Sequence, residues 1–300
     1  CGLGDCTYCY MSTVKDKIQD PKKARRRFSS ILAEVLISKQ LGWELEFLSG
    51  GYETYSIDEL LFLVKCIHSI SGKKQWLNIG TMSKKYLEMF SPYVEGYAGT
   101  IETSNWKLRK KVCPSKKLEP ILRTFDYCDD LGLKKAMTFI VGLGETIDDF
   151  ENLEKFIKEK GICRITFYAL NPHPGTCFKK SPGIDYYEQW IAKTRIAFPK
   201  LDIIAGAWVD KVDYYPRLLY AGANSITKIP SIRKFNTEEV KEIEKNIKSV
   251  GRVFKGSLTK LPDVNWHNMV DSLDSTLFND ELKSEIKKKL DIYLKQMRKN

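Results

Sequence analysis

Histidine is scarce in this chain, with three in 300 residues. No fourth Cys or His stands close behind the cysteines at its start, as a closed structural zinc site normally requires. No apolar run is long enough to cross a bilayer, and no signal-peptide pattern opens the sequence. A membrane partner is therefore not expected, and a cytoplasmic location is. Low-complexity segments and long linkers are missing too, so the length suits one large α/β domain or two small ones. Beyond residue 9 the cysteines have no short mutual spacing. Cys66, Cys113, Cys128, Cys163 and Cys177 read for the most part as small buried hydrophobes rather than a disulfide framework.

Charge is plentiful, with a formal net value of +11. Basic and acidic residues are mixed along most of the chain, which reads as a solvated surface. The run Lys22-Lys23-Ala24-Arg25-Arg26-Arg27 keeps an anionic partner such as RNA open, but it lacks interleaved aromatics and belongs to a helix start. Hydrophobic residues make up 43% of the chain, enough to bury a substantial core.

Short apolar, β-branched or aromatic runs alternate with longer amphipathic ones. Strands are expected at 45–49, 76–80, 99–102, 136–141, 164–170, 201–205 and 225–228. Helices are expected at 24–41, 57–71, 83–90, 118–131, 147–159, 186–197 and 212–221, then at 237–250 and 280–297. This order predicts parallel strands joined by crossover helices. The fold expected is α/β, a (β/α)8 TIM-type barrel over residues 1–255, its first strand lying upstream of Cys1. Residues 256–300 are expected to form a helical extension packed on the barrel. In such barrels chemistry sits at the C-terminal ends of the strands, and here four strand ends carry unusual residues: Ser49-Gly50-Gly51, Glu102-Thr103-Ser104-Asn105, Gly142-Leu143-Gly144-Glu145, and Asn171 to Thr176.

The chain opens Cys1-Gly2-Leu3-Gly4-Asp5-Cys6-Thr7-Tyr8-Cys9. Three thiolates on one short loop can ligate three irons of a cubane and leave the fourth open to an outside ligand. Glycines allow the loop to wrap closely. A structural zinc site or a redox dithiol are the alternatives.

Cys6-Thr7-Tyr8-Cys9 resembles the second half of the radical S-adenosylmethionine (SAM) motif, Cys-x3-Cys-x-aromatic-Cys. Four residues rather than three separate Cys1 from Cys6. The resemblance implies a [4Fe–4S] cluster on Cys1, Cys6 and Cys9, SAM at its open iron, and Tyr8 near adenine. The other strand ends resemble those of the biotin synthase and [FeFe]-hydrogenase maturase branch. Gly50 and Gly51 match the glycine-rich strand end that receives SAM's amino group. Thr100, Glu102 and Ser104 match the motif whose acid contacts SAM's polar groups. Gly142 matches the glycines near the nucleoside, and Pro172 the strand end that meets adenine. Tyr220 to Ile226 matches a stretch before the last strand. For Glu102 a plain helix N-terminal acid is the alternative, and for Glu145-Thr146 a helix cap. The arginine that holds SAM's carboxylate in this branch has no match, because Ile121 stands in its place; Arg109 and Arg123 are the nearby candidates.

Biotin synthase carries a second, sulfur-donating cluster. By alignment its cysteine and arginine ligands fall on Ala136 and Ala207 here. The maturase branch without that cluster is thus the closer resemblance, including an [Fe]-hydrogenase-associated (HmdB-like) group linked to the iron–guanylylpyridinol cofactor. The function implied is reductive cleavage of SAM to a radical that abstracts hydrogen from a small substrate in the barrel. An electron donor such as ferredoxin or flavodoxin is implied as partner, and nucleic acid is not. The alternatives are an RNA-modifying radical SAM enzyme, biotin-synthase-like sulfur insertion, and a non-enzymatic iron–sulfur or zinc protein.

Overall fold

The computed structural model describes residues 1–18, 20–208 and 210–299. After the cysteine loop come short 3₁₀ helices at Tyr10–Val14 and Pro21–Ala24, then α1 (Phe28–Gln40), β1 (Leu48–Ser49), α2 (Ile57–Ser71), β2 (Gln75–Asn78), α3 (Lys84–Phe90) and β3 (Val94–Glu102). Two helices follow β3, α4 (Trp106–Val112) and α5 (Leu118–Asp130). The alternation continues with β4 (Lys134–Val141), α6 (Phe150–Lys160), β5 (Arg164–Ala169), α7 (Ile184–Ala197), β6 (Asp202–Gly206), α8 (Tyr214–Tyr220) and β7 (Ser225–Thr227). The chain ends in α9 (Glu238–Ser249), α10 (Trp266–Asp271) and α11 (Asp280–Lys299).

Local sequence explains these elements. Ser56 and Glu59 form a reciprocal capping box at the start of α2, and Gly72 ends it with φ +70°. In α5 the buried residues are Ile121, Thr124, Phe125 and Cys128, the i, i+3, i+4, i+7 stripe of a helix lying on a sheet. After its first residue β4 is buried throughout, as expected of a parallel strand covered on both faces.

All seven strands are parallel and pair in sequence order from β1 to β7. The described residues supply seven of the eight strands of the expected (β/α)8 barrel, as an open, parallel sheet. Closure requires the two outer strands to share hydrogen bonds. Instead the edges Leu48–Ser49 and Ser225–Thr227 face one another across a cleft of about 1160 Å³. The main core lies outside the sheet, where Phe139, Phe167, Tyr187 and Trp190 are fully buried against the crossover helices. A second core joins α1, α2, α10 and α11 through Leu32, Leu36, Leu63, Ile286, Leu290 and Leu294. The three strand-ending loops that follow β1, β3 and β4 all lie on the same rim as the cysteine loop.

Candidate active site at the cysteine loop

The cysteine loop is seated on residues 112–116, the end of α4 and the start of the connection to α5. The Thr7 N–H donates to the Val112 carbonyl at 2.9 Å. The Asp5 carboxylate accepts the Ser115 N–H at 3.1 Å and also its hydroxyl. The Cys6 thiol shares a hydrogen bond with that of Cys113. On the other flank, the Gly2 N–H donates to the Tyr52 carbonyl at 2.8 Å. A side chain on Gly51 would come within 2.9 Å of the Cys1 Cα, so the glycine permits this approach. Gly50 donates its N–H to the Asn78 carbonyl at 3.2 Å, which extends the β1–β2 pairing to the rim.

Beside this seat lies a buried ion pair. Lys116 Nζ stands 3.0 Å from Glu102 Oε1, the two side chains being 12% and 6% exposed, and 3.4 Å from the Tyr8 hydroxyl oxygen. The second Glu102 oxygen accepts the Thr138 hydroxyl at 3.2 Å. Burial alone would depress the Lys116 ammonium, but Glu102 and the neighbouring thiols outweigh it and hold the group above the ordinary lysine value. Burial pushes the Tyr8 phenol well up. The Cys113 hydrogen bond, helped by the Lys116 ammonium, brings the Cys6 thiol down to about 7 against the effect of burial.

Two features mark this corner as built for a ligand. Glu102 has φ +70°, a left-handed conformation that an acidic side chain adopts only under constraint from its surroundings. The pairing of β3 with β4 skips a residue between Thr100 and Glu102, which turns the carboxylate onto the lumen. The Thr100 hydroxyl is buried with no hydrogen-bond partner among the described residues, and buried polar groups are rarely left so.

The remaining expected residues divide. Pro172 lies half-buried in the loop after β5, which packs on the Tyr10–Val14 turn through Gly175 against Thr13 and His173 against Tyr10. Gly142 has φ +107°, but its N–H is taken by Glu145 Oε1 at 2.6 Å, and the Gly144 N–H by Glu145 Oε2 at 3.1 Å. Glu145 thus closes its own turn, while Thr146 is the N-cap of the 3₁₀ turn Ile147–Asp149, in a capping box where its N–H donates to Asp149 Oδ2 at 2.9 Å. Ser104 is fully buried and donates to the Asp149 carbonyl at 2.8 Å, so its hydroxyl ties the frame together. Arg109 is corrected as a carboxylate holder: its guanidinium is spent on the backbone carbonyls of Thr100, Ile101 and Lys116. Arg123 is exposed, and Ile121 packs under Gly99 in the core. Cys163 and Cys177 are exposed rather than buried. Cys128 is buried in the main core and Cys163 bonds the Lys135 carbonyl, so neither joins Cys113. Two members of the basic run pair with the protein's own acids, Arg25 with Glu59 at 2.7 Å and Arg26 with Glu34 at 2.5 Å, while Lys22, Lys23 and Arg27 are exposed.

Among the described residues no three His, Cys, Asp or Glu side chains stand together as a metal-holding group; Cys6 is turned to Cys113 instead. The donor set nevertheless fits a cluster and a polar ligand. Three thiols share one loop, and an orphaned hydroxyl and a strained carboxylate lie beside it. A family model described as the radical SAM superfamily matches residues 1–157. The chain belongs to the radical SAM superfamily. An uncharacterised protein of Methanocaldococcus jannaschii is 40% identical over 85% of this chain and 71% of its own. Biotin synthase of Chlamydia abortus is 25% identical, over 74% of this chain and 70% of the relative. The [FeFe] hydrogenase maturase subunit HydE of Thermotoga maritima is 26% identical, over 67% of this chain and 58% of the maturase. Among solved structures, methylornithine synthase aligns with a TM-score of 0.61 at 18% identity, covering 75% of this chain and 72% of that one. It supports the fold. Members of the superfamily typically use a [4Fe–4S] cluster and SAM.

In this radical SAM enzyme the far wall of the lumen is also polar. Glu46 accepts the Tyr168 hydroxyl at 2.5 Å and the Thr227 hydroxyl at 2.6 Å. Lys228 Nζ lies 4.6 Å from the Tyr168 ring centroid and 6.0 Å from that of Trp208. Gly206 makes room for this meeting, since a side chain there would come within 2.5 Å of the Tyr168 ring. Neither these residues nor Cys113, Ser115 and Lys116 stand out in the sequence. They lie in stretches that carry no motif, and only the fold brings them together.

Proposed function

We propose that Cys1, Cys6 and Cys9 hold a [4Fe–4S] cluster, and that SAM lies across the rim formed by Gly50, Gly51, Thr100, Glu102, Gly142 and Pro172, beside Tyr8. When bound, the reduced cluster supplies the electron that cleaves SAM and yields a 5′-deoxyadenosyl radical able to abstract hydrogen. The chain's own residues have the other tasks. Glu102 presents a fixed acceptor to SAM's polar groups, and Thr100 offers a hydroxyl without a competing partner. The apolar lining of the seat, with Ile140, Leu143 and Leu170 packed against Tyr8, keeps water from the reacting carbon. Glu46, Tyr168, Lys228 and Trp208 on the far wall suit a small polar substrate enclosed in the lumen. The observation that carries this reading is the seating of the three-thiol loop beside the Glu102–Lys116 pair.

Within the family, a role without sulfur donation is favoured. Ala136 packs between Trp76 and Ala98 and Ala207 is buried in the main core, so neither offers a ligand to a second cluster. Biosynthesis of a hydrogenase cofactor, of the iron–guanylylpyridinol kind, is the specific role proposed, with a ferredoxin or flavodoxin as electron donor. The test is anaerobic reconstitution followed by assay for 5′-deoxyadenosine. About four irons per chain and 5′-deoxyadenosine formed under reducing conditions are expected. A [2Fe–2S] Mössbauer signal lost on turnover would overturn the reading against sulfur donation.

A further inference from the structure

The seat of the cysteine loop carries a cation that the proposed function has not used. Lys116 is one residue past Ser115, which holds Asp5, and three past Cys113, which holds Cys6. Its ammonium has three donors. One goes to Glu102 at 3.0 Å and one to the Tyr8 oxygen at 3.4 Å. The third has no partner among the described residues. A buried ammonium with a spare donor is a costly arrangement unless an acceptor arrives.

The other basic side chains nearby are excluded by what they already do. Arg109 is used up by three backbone carbonyls, and Arg123 lies exposed. The methionine end of SAM brings an ammonium and a carboxylate a few ångströms apart. Glu102 and Lys116 present the opposite pair of charges, in contact with each other and beside the orphaned Thr100 hydroxyl. An internal ion pair of this kind can be exchanged for two ion pairs with a zwitterion without leaving a charge unmatched.

Resting on the cofactor reading above, we infer that Lys116 is the residue that holds the carboxylate of SAM, with Glu102 released toward SAM's ammonium or hydroxyl groups. In the ligand-free protein the two side chains satisfy one another and keep the pocket open. Lys116 is thus a binding residue supplied by the same short loop that seats Cys6, which couples the position of SAM's carboxylate to the position of one cluster ligand.

The test compares SAM with its decarboxylated analogue, S-adenosyl-3-methylthiopropylamine, by calorimetry on the anaerobically reconstituted full chain. The wild-type protein is expected to prefer SAM by about tenfold or more, the loss expected when a charged hydrogen-bond partner is removed. Lys116→Met should abolish that preference, and Lys116→Arg should keep most of it. Because Lys116→Met leaves Glu102 without its partner, the Glu102→Gln/Lys116→Met double variant serves as a folded, charge-neutral control, and it too should bind both ligands alike. Equal affinity of the wild type for the two ligands, or an undiminished preference in Lys116→Met, would overturn the assignment. Failure of the iron-loaded wild type to bind either ligand would overturn the cofactor reading itself, and the Lys116 role with it.

Discussion

The two walls of the lumen are built on different principles. On the β3–β4 wall, Glu102 and Lys116 are almost fully buried, Glu102 is held in a left-handed conformation, and the Thr100 hydroxyl has no partner. On the far wall, Glu46 is only half-buried and already accepts two hydroxyls, and Lys228, though also left-handed at φ +70°, is exposed beside aromatic rings. The first wall is rigid and incomplete, which suits a ligand of fixed shape and charge. The second is satisfied and open, which suits a surface free to change with the substrate. A superfamily that shares one cofactor and acts on many substrates requires that division.

Experiments that separate the walls test it directly. The largest effect is expected from Cys6→Ala/Cys9→Ala, which should lose nearly all bound iron and all 5′-deoxyadenosine formation; full iron loading by chemical assay would remove the basis of the near wall's role. Next, Glu102→Gln leaves a buried ammonium without its counter-charge. It should lower unfolding stability by about 3–5 kcal/mol, the usual cost of breaking a buried pair. It should also weaken SAM binding by about 1.5–3 kcal/mol. Adding Lys116→Met should recover most of the stability in thermal unfolding, and no recovery would mean that the pair is not coupled.

Ser104→Ala should cost about 1 kcal/mol of stability by removing one part-buried hydrogen bond to the Asp149 carbonyl, with SAM affinity held within about twofold. A large drop in affinity would return Ser104 to the cofactor site. The smallest effect is expected from Tyr168→Phe, at about 1 kcal/mol in denaturant unfolding for one hydrogen bond to a half-buried Glu46, again with SAM affinity preserved. If Tyr168→Phe weakened SAM binding as much as Glu102→Gln, the two walls would be one site.

Much of the frame was legible because periodicity records burial. All seven expected strands are present, and α2 begins and ends where its capping signals stand. The short basic helix α4 escaped notice because Lys107, Lys110 and Lys111 leave little apolar stripe, and α10 because it has only six residues. The open edge between β1 and β7 accords with the count of seven strands read from the sequence, one short of the eight that a closed barrel needs. At the site, Glu102 and the cysteines were legible from their motif. Lys116 and Cys113 were not, because their importance comes from a tertiary seat 100 residues along from the loop it receives. The choice between Arg109 and Arg123 stayed open for a related reason: a charge near a site in sequence can be wholly occupied by backbone, as Arg109 is.

One consequence of the left-handed Glu102 concerns how this protein would respond to selection for robustness. Non-glycine residues in that region cost on the order of 1–3 kcal/mol. Replacing Glu102 with glycine would relieve the backbone and discard the buried charge only at the expense of the pocket. A screen that rewards heat resistance alone would erase this carboxylate only together with Lys116, since an ammonium left without its partner costs more than the backbone recovers, whereas one that demands turnover would keep both, so the pair is a place where the two pressures can be told apart.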